Sequence, residues 1–212
     1  MRNLLYKEFR LAIHPSFLLM SLFGALVLIP QWLYFFALMY FFFLSVPNIF
    51  TGAKAQNDIM FTALLPVCRR DIVKARVLSI ALLELLQLLV TAVFVLINMA
   101  IYPQGSFMLD ANIAYIGFGF MLFGVFNLIM LPMFYKTAYK IAIPITVSTG
   151  VVMLLAAGIE ALVLLVPAAK VFDGTQHIGL HLGVLAIGIA LFFGLTALSY
   201  PLSAKRFEKV NI

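Results

Sequence analysis

The stretch from Val77 to Ile101, VLSIALLELLQLLVTAVFVLINMAI, holds a single ionisable side chain, Glu84. About 20 apolar residues in an α-helix cross the roughly 30 Å of a bilayer's hydrocarbon, so this run is long enough to span one. Similar runs lie on both sides of it. With 65% hydrophobic and 10% charged residues over 212 positions, the chain has too little polar surface to cover a water-soluble globule and too much apolar sequence for one buried core. Lipid is the solvent that fits. Irregular backbone cannot face lipid, because its N–H and C=O groups would go unpaired, so the runs must be helices and the fold class all-α.

Counting outward from Val77–Ile101 gives six transmembrane helices: Pro15–Ile29, Trp32–Phe50, Val77–Ile101, Ile113–Tyr135, Ile141–Val166 and His181–Ser203. The first is short and is expected to meet the second in a tight turn at Pro30-Gln31. With both termini cytoplasmic, every Lys and Arg but one of the 14 falls inside; Lys170 alone is outside. Trp32, Tyr34, Tyr102, Tyr135 and Tyr139 fall at span ends, where amphipathic rings favour the headgroup level. No small-x-small cleavage site follows the basic start and first apolar run, which is expected to be retained. With no internal repeat, low-complexity tract or linker, residues 1–212 read as a single membrane domain.

The net charge of +6 follows this topology, so a nucleic-acid partner is set aside. Cys68 is the only cysteine, which excludes an intramolecular disulfide and leaves it as structural filler. No Gly-x-x-x-x-Gly-Lys-Ser/Thr stretch occurs to cradle nucleotide phosphates, and no cofactor is expected in this chain.

Two cytoplasmic segments stand out. Over residues 1–14, Asn3, Lys7, Arg10 and His14 recur at helical spacing opposite Leu5, Phe9, Ala12 and Ile13, the pattern of an amphipathic helix on the membrane surface. A basic tail that only fixes topology is the alternative. Residues 51–76 form the one long cytoplasmic loop. Within it Asn57 or Asp58 can cap a short helix that places Phe61, Leu64 and Leu65 on one face; Pro66 ends it and Asp71 can cap the next helix. A helix so short needs the membrane or a protein partner to hold it. An interfacial turn with snorkelling Arg69 and Arg70 is the alternative.

A set of motifs then carries a resemblance: Asn3-Leu4-Leu5-Tyr6-Lys7-Glu8-Phe9, His14-Pro15, Asn57-Asp58-Ile59 with Phe61-Thr62 and Leu64-Leu65-Pro66-Val67, Arg70-Asp71-Ile72-Val73-Lys74-Ala75-Arg76, and Glu84 with Gln87. Over most of its length the chain resembles the bacterial type-2 ATP-binding-cassette (ABC) exporter permeases, in particular the short six-span subunits encoded apart from their ATPase. The resemblance implies a coupling element at Asn57–Pro66 that docks into a cognate ABC ATPase, with Asn57, Asp58, Phe61, Thr62, Leu64, Leu65, Pro66, Arg69, Arg70 and Asp71 at the contact. It further implies ATP and Mg in that partner, a second permease copy or paralogue, residence in the bacterial cytoplasmic membrane, and export of an amphipathic substrate such as phenol-soluble modulins or antimicrobial peptides.

Inside the membrane Glu84, Gln87, Asn127 and Glu160 are candidates for a substrate path or for helix packing. The aromatics Phe35, Phe36, Tyr40, Phe41, Phe42 and Phe43 fit a greasy path or helix contact equally. Gly117, Gly119 and Gly124, with Gly179 and Gly183, permit close helix approach and a dimer face. Asp173, His177 and His181 recur every four residues, an incomplete metal set interrupted by Gly174 and Gly179; an outer loop is expected there instead. Two other function classes remain open: an ion-coupled secondary carrier using Glu84 or Glu160, and an intramembrane enzyme, for which the acidic residues and His177 and His181 would have to converge.

Overall fold

A computed structural model describes residues 2–13, 16–30, 32–102, 108–174 and 176–210. Among these there is no strand. The helices are α1 (Arg2–Lys7), α2 (Ser16–Met20), α3 (Phe35–Tyr40), α4 (Val46–Ala55), α5 (Asp58–Ala63), α6 (Arg69–Ile101), α7 (Ile113–Phe134), α8 (Ala142–Leu165) and α9 (Ile178–Phe207). A π-helical turn at Phe41–Ser45 fuses α3 and α4 into one rod. Five helices are long and apolar enough to cross a membrane: Phe35–Ala55, Arg69–Ile101, Ile113–Phe134, Ala142–Leu165 and Ile178–Phe207.

The expected first span is the exception. Over Ser16–Leu28, α2 gives way to a 3₁₀-helix at Ser21–Leu28, and the two together reach only about 23 Å at the usual rises. It is fastened along α6 instead: Asn98 Nδ2 donates to the Val27 carbonyl at 2.7 Å, and Gly24 lies so near Thr91 that a Cβ there would meet Oγ1 at 2.7 Å. His14, Pro15 and Gln31, which carry part of the expected resemblance and turn, lie outside the described residues.

Residues 51–76 are not one loop. Thr51–Ala55 completes α4 and Arg69–Arg76 opens α6, so only 56–57 and 64–68 are non-helical around α5. Helices run on past the hydrocarbon because their backbone bonds are satisfied internally and their basic side chains can reach water. At 33 residues α6 is roughly 50 Å long, well beyond the hydrocarbon thickness.

From Arg76 onward the polar residues of α6 lie on its buried side. Val73, Arg76, Ile80, Glu84, Gln87, Thr91, Val95 and Asn98 recur at three- and four-residue steps and are all buried, whereas Leu82, Leu89, Val93 and Leu96 are exposed. This inverts a soluble helix. Lipid cannot bond Arg, Glu or Gln, so they turn inward to partners and the leucines face out.

α7 and α9 make the closest helix pair. A Cβ at Gly117 would stand 2.8 Å from the Val184 carbonyl and Leu185 N, and one at Gly188 would strike the Gly117 carbonyl. Gly124 meets Phe192 Cα at 3.0 Å on the same measure. These glycines therefore serve packing within the chain, while Gly179 and Gly183 have open space. Phe42 packs between Phe123 and Phe126 of α7, with ring centroids 4.8 and 4.3 Å away, so half of the expected aromatic path is core. Tyr34 and Tyr135, expected at headgroup level, are buried; Tyr102 and Tyr139 are exposed.

Two ends result. One gathers α1, α5, the start of α6, the 135–141 turn and the end of α9, with most of the cations. At the other, the segment around 108–112 binds 172–174: Asp110 N donates to Asp173 Oδ1 at 2.9 Å, Gly174 N to Asp110 Oδ2 at 3.0 Å, and Asn112 caps α7 through Tyr115 N at 3.0 Å.

Candidate functional site

At the basic end four charges from three segments meet. Arg76, only 3% exposed on α6, pairs through Nε with Glu8 Oε2 at 2.7 Å and donates from Nη2 to Asp58 Oδ2 at 2.7 Å. Lys7 Nζ lies 2.6 Å from Asp58 Oδ1, 2.8 Å from Thr62 Oγ1 and 3.4 Å from Glu8 Oε1. The Arg76 guanidinium also lies over the Phe50 ring, 5.7 Å from its centroid. Two cations and two anions cancel, which is what allows them to be buried together. The result is a clasp that joins the N-terminal helix, α5 and α6.

Local backbone aims these groups. After Lys7 the N-terminal helix widens into π-helical turns at Glu8–Ala12, and Ile13 ends it with its N–H on the Glu8 carbonyl at 2.9 Å. Lys7 and Glu8 thereby point into the protein while Tyr6, Phe9 and Arg10 are exposed, so the polar stripe expected to run outward is broken at its centre. Asn57 starts α5 by adopting a left-handed backbone, φ 51°, with no side-chain cap. Asp58 makes no cap either; it serves the clasp. Asp71 is likewise not the cap of α6, which begins two residues earlier after Cys68 in extended backbone.

α5 is two-faced. Asp58 and Thr62, four residues apart, turn toward the clasp, with Thr62 Oγ1 also donating to the Asp58 carbonyl at 2.7 Å. Away from the clasp, Met60 and Phe61 of α5 and Leu64 and Leu65 just after it are exposed; Phe61 is 65% and Leu64 77% exposed. Beside it a groove of about 210 Å³ runs between Ile59, Met60, Phe50 and the 138–139 turn. Phe61, Leu64 and Leu65, expected on one face of a helix, are all exposed, but α5 ends at Ala63 and the two leucines stand in the turn and bend after it. Pro66 lies in the bend that follows.

Arg69 and Arg70 turn elsewhere. Arg69 Nη1 donates to the Val210 carbonyl at 2.8 Å and its guanidinium stands over Phe207, while Arg70 Nε pairs with Glu208 Oε1 at 2.6 Å. They tie the start of α6 to the end of α9. The Arg70 hydrogen bond, helped by the neighbouring positive charge, holds the Glu208 carboxyl below the usual carboxylate range.

In the membrane interior Glu84, fully buried, meets Asn127, whose Nδ2 donates to Glu84 Oε2 at 2.6 Å and to Thr196 Oγ1 at 3.1 Å. This joins α6, α7 and α9. Gln87 does not belong to it: its amide donates to the Ala37 carbonyl and Thr91 Oγ1, each at 3.4 Å. Glu160 sits apart at the other end, accepting from Leu109 N at 3.1 Å and standing in the wall of a cavity of about 230 Å³ otherwise lined by Leu33, Phe35, Phe36, Met39 and Met153. His181 is buried against the Val171 carbonyl at 3.1 Å, and α9 starts only after His177, so Asp173, His177 and His181 never share a helix face. Among the described residues no group of His, Cys, Asp or Glu could hold a metal.

The sequence reading missed Glu8 and Arg76 as site residues, and Thr196. The signal for Arg76 was present: it continues the stripe Val73, Ile80, Glu84 and Gln87, and a charge in phase with a buried stripe demands a buried counter-charge. For Glu8 and Thr196 the spacing gives no comparable sign.

No curated protein and no solved structure matches the chain. The family model described as ABC-2 family transporter protein matches residues 3–208. That match takes in the clasp, α5 and every long helix, and the chain is accordingly a multi-pass membrane protein of the ABC-2 transporter family.

Proposed function

We propose that this permease is the membrane half of an ATP-driven exporter, with α5 as its coupling helix. The observation that carries the reading is that α5 is locked to α1 and α6 by buried charges while its outer side exposes Phe61 and Leu64. A soluble surface has no reason to keep such a patch, and a groove-bearing ATPase gives it one. The basic end is cytoplasmic by the charge rule, Ser16–Leu28 is the shallow sixth span, and the N-terminal helix lies at the interface with Tyr6 and Phe9 toward lipid. ATP and Mg belong to the partner ATPase. Two permease chains, identical or paralogous, flank the transport path in the bacterial cytoplasmic membrane.

Movement of the ATPase pushes on Met60, Phe61 and Leu64. The clasp passes the displacement to α1 and α6, and Glu84–Asn127–Thr196 couples α6 to α7 and α9. The substrate is amphipathic, a membrane-active peptide of the phenol-soluble modulin or antimicrobial kind; the apolar cavity with Glu160 in its wall suits an apolar body carrying a cationic group. The enzyme reading loses support because Glu84, Glu160 and His181 each bond to different partners.

The test is purification with the ATPase encoded beside it. Phe61→Glu and Leu64→Glu are expected to insert normally and to abolish permease-dependent stimulation of ATP hydrolysis and substrate export. Export unchanged in both variants sinks the coupling role of α5, and export driven by a pH gradient without ATP establishes the secondary-carrier reading instead.

A further inference from the structure

The 135–141 turn has a second side. Ala138 and Tyr139 face the groove beside α5, but Lys136 and Lys140 face the other way, into a pocket of about 700 Å³ between the end of α7, the start of α8 and the end of α9. Arg206 and Lys209 of the α9 terminus complete a rim of four cations with no acid among the lining residues. The nearby carboxylate, Glu208, is engaged by Arg70 at 2.6 Å. Arg206 is pre-aimed, since one Nη donates to the Pro132 carbonyl at 2.8 Å, and its fork retains other donors. No ion pair of Lys136, Lys140, Arg206 or Lys209 exists among the described residues.

Below the rim the lining turns apolar. Met133 precedes the turn on α7, and Ile143, 62% exposed, opens α8 on the membrane side. A recess with cations at the helix ends and apolar walls toward the hydrocarbon matches a molecule with a phosphate head and acyl chains. Free phosphate would leave the apolar walls unused. We propose that this pocket holds the phosphate headgroup of an anionic phospholipid from the basic-side leaflet, its chains lying along Met133 and Ile143. This site is separate from α5 and stands whether or not the chain is an exporter.

The experiment is native mass spectrometry of the full-length protein, purified in detergent with equal dioleoyl phosphatidylglycerol and dioleoyl phosphatidylcholine. Expected is retention of phosphatidylglycerol over phosphatidylcholine by roughly tenfold. The triple variant K136Q/K140Q/K209Q, which spares the structural Arg206 bond, is expected to remove that preference. The control K54Q/K74Q/K170Q, with the same loss of charge at residues outside the lining of the pocket, is expected to keep it. Millimolar inorganic phosphate is expected not to displace the lipid. Equal retention of the two lipids, a preference that survives K136Q/K140Q/K209Q, its loss in the control, or displacement by inorganic phosphate each overturns the proposal.

Discussion

Replacing Arg76 by Met keeps the length of the side chain and removes one of the two cations that neutralise Glu8 and Asp58. Glu8 then retains only Lys7, at 3.4 Å, and the buried group carries a net negative charge. Breaking a buried pair from one side costs about 3–5 kcal/mol, far more than a surface pair is worth. The loss is local, because α5 is joined to the remainder mainly through Asp58 and Thr62, so it appears as opening of α5 rather than global unfolding. Hydrogen exchange followed by mass spectrometry on peptides covering 58–65 is expected to speed up by roughly 10²- to 10⁴-fold, with α8 unchanged. Glu8→Gln combined with Arg76→Met removes both partners of the 2.7 Å pair and leaves Lys7 with Asp58. That double variant is expected to recover about 1–3 kcal/mol relative to the sum of the single losses. Exchange in α5 unaltered by Arg76→Met, or single effects that merely add, would refute the claim that the charges act as one clasp.

Other consequences are separately testable. Gly188→Ala drives a Cβ into the Gly117 carbonyl and is expected to cost about 1–3 kcal/mol in thermal unfolding of the detergent-solubilised protein, whereas Gly183→Ala, with open space around it, is expected to be neutral. Asn127→Leu strands the buried Glu84 carboxyl without its 2.6 Å donor and is expected to destabilise by about 2–3 kcal/mol, while Glu84→Gln, which keeps an acceptor for Asn127, stays within about 1 kcal/mol. The folded Glu208 carboxyl titrates below its unfolded value, so its tie to Arg70 is complete above the ordinary carboxylate range and is lost as pH falls through the lowered value. An NMR titration of the Glu208 carboxyl is expected to move up to the ordinary range in Arg70→Gln.

Some of this was written plainly in the sequence. Five apolar runs became five long helices, and the ends of α7 and α8 fell within a residue of expectation, because a bilayer of fixed thickness forces an apolar run to close its own backbone bonds as a helix. That a short helix follows Asn57 and leaves Phe61 exposed was equally legible, although α5 ends at Ala63, before Leu64 and Leu65. The weak first span was not, since its apolar composition gives no hint that Gly24 and Asn98 would draw it along α6 as a 3₁₀-helix.

What tertiary structure alone decided is where each polar group points. Periodicity fixes which residues share a helix face, but not which other helix comes to that face. Hence Asp58, read as a cap, became the partner of Lys7 and Arg76; Arg69 and Arg70 tie the start of α6 to the end of α9; and Glu84 found Asn127, 43 positions away, while Gln87 one turn on found Ala37. For Glu84, Gln87 and Asn127, set in a medium that offers no hydrogen bonds, the partners have to come from other parts of the chain, and that pairing exists only once the helices have packed.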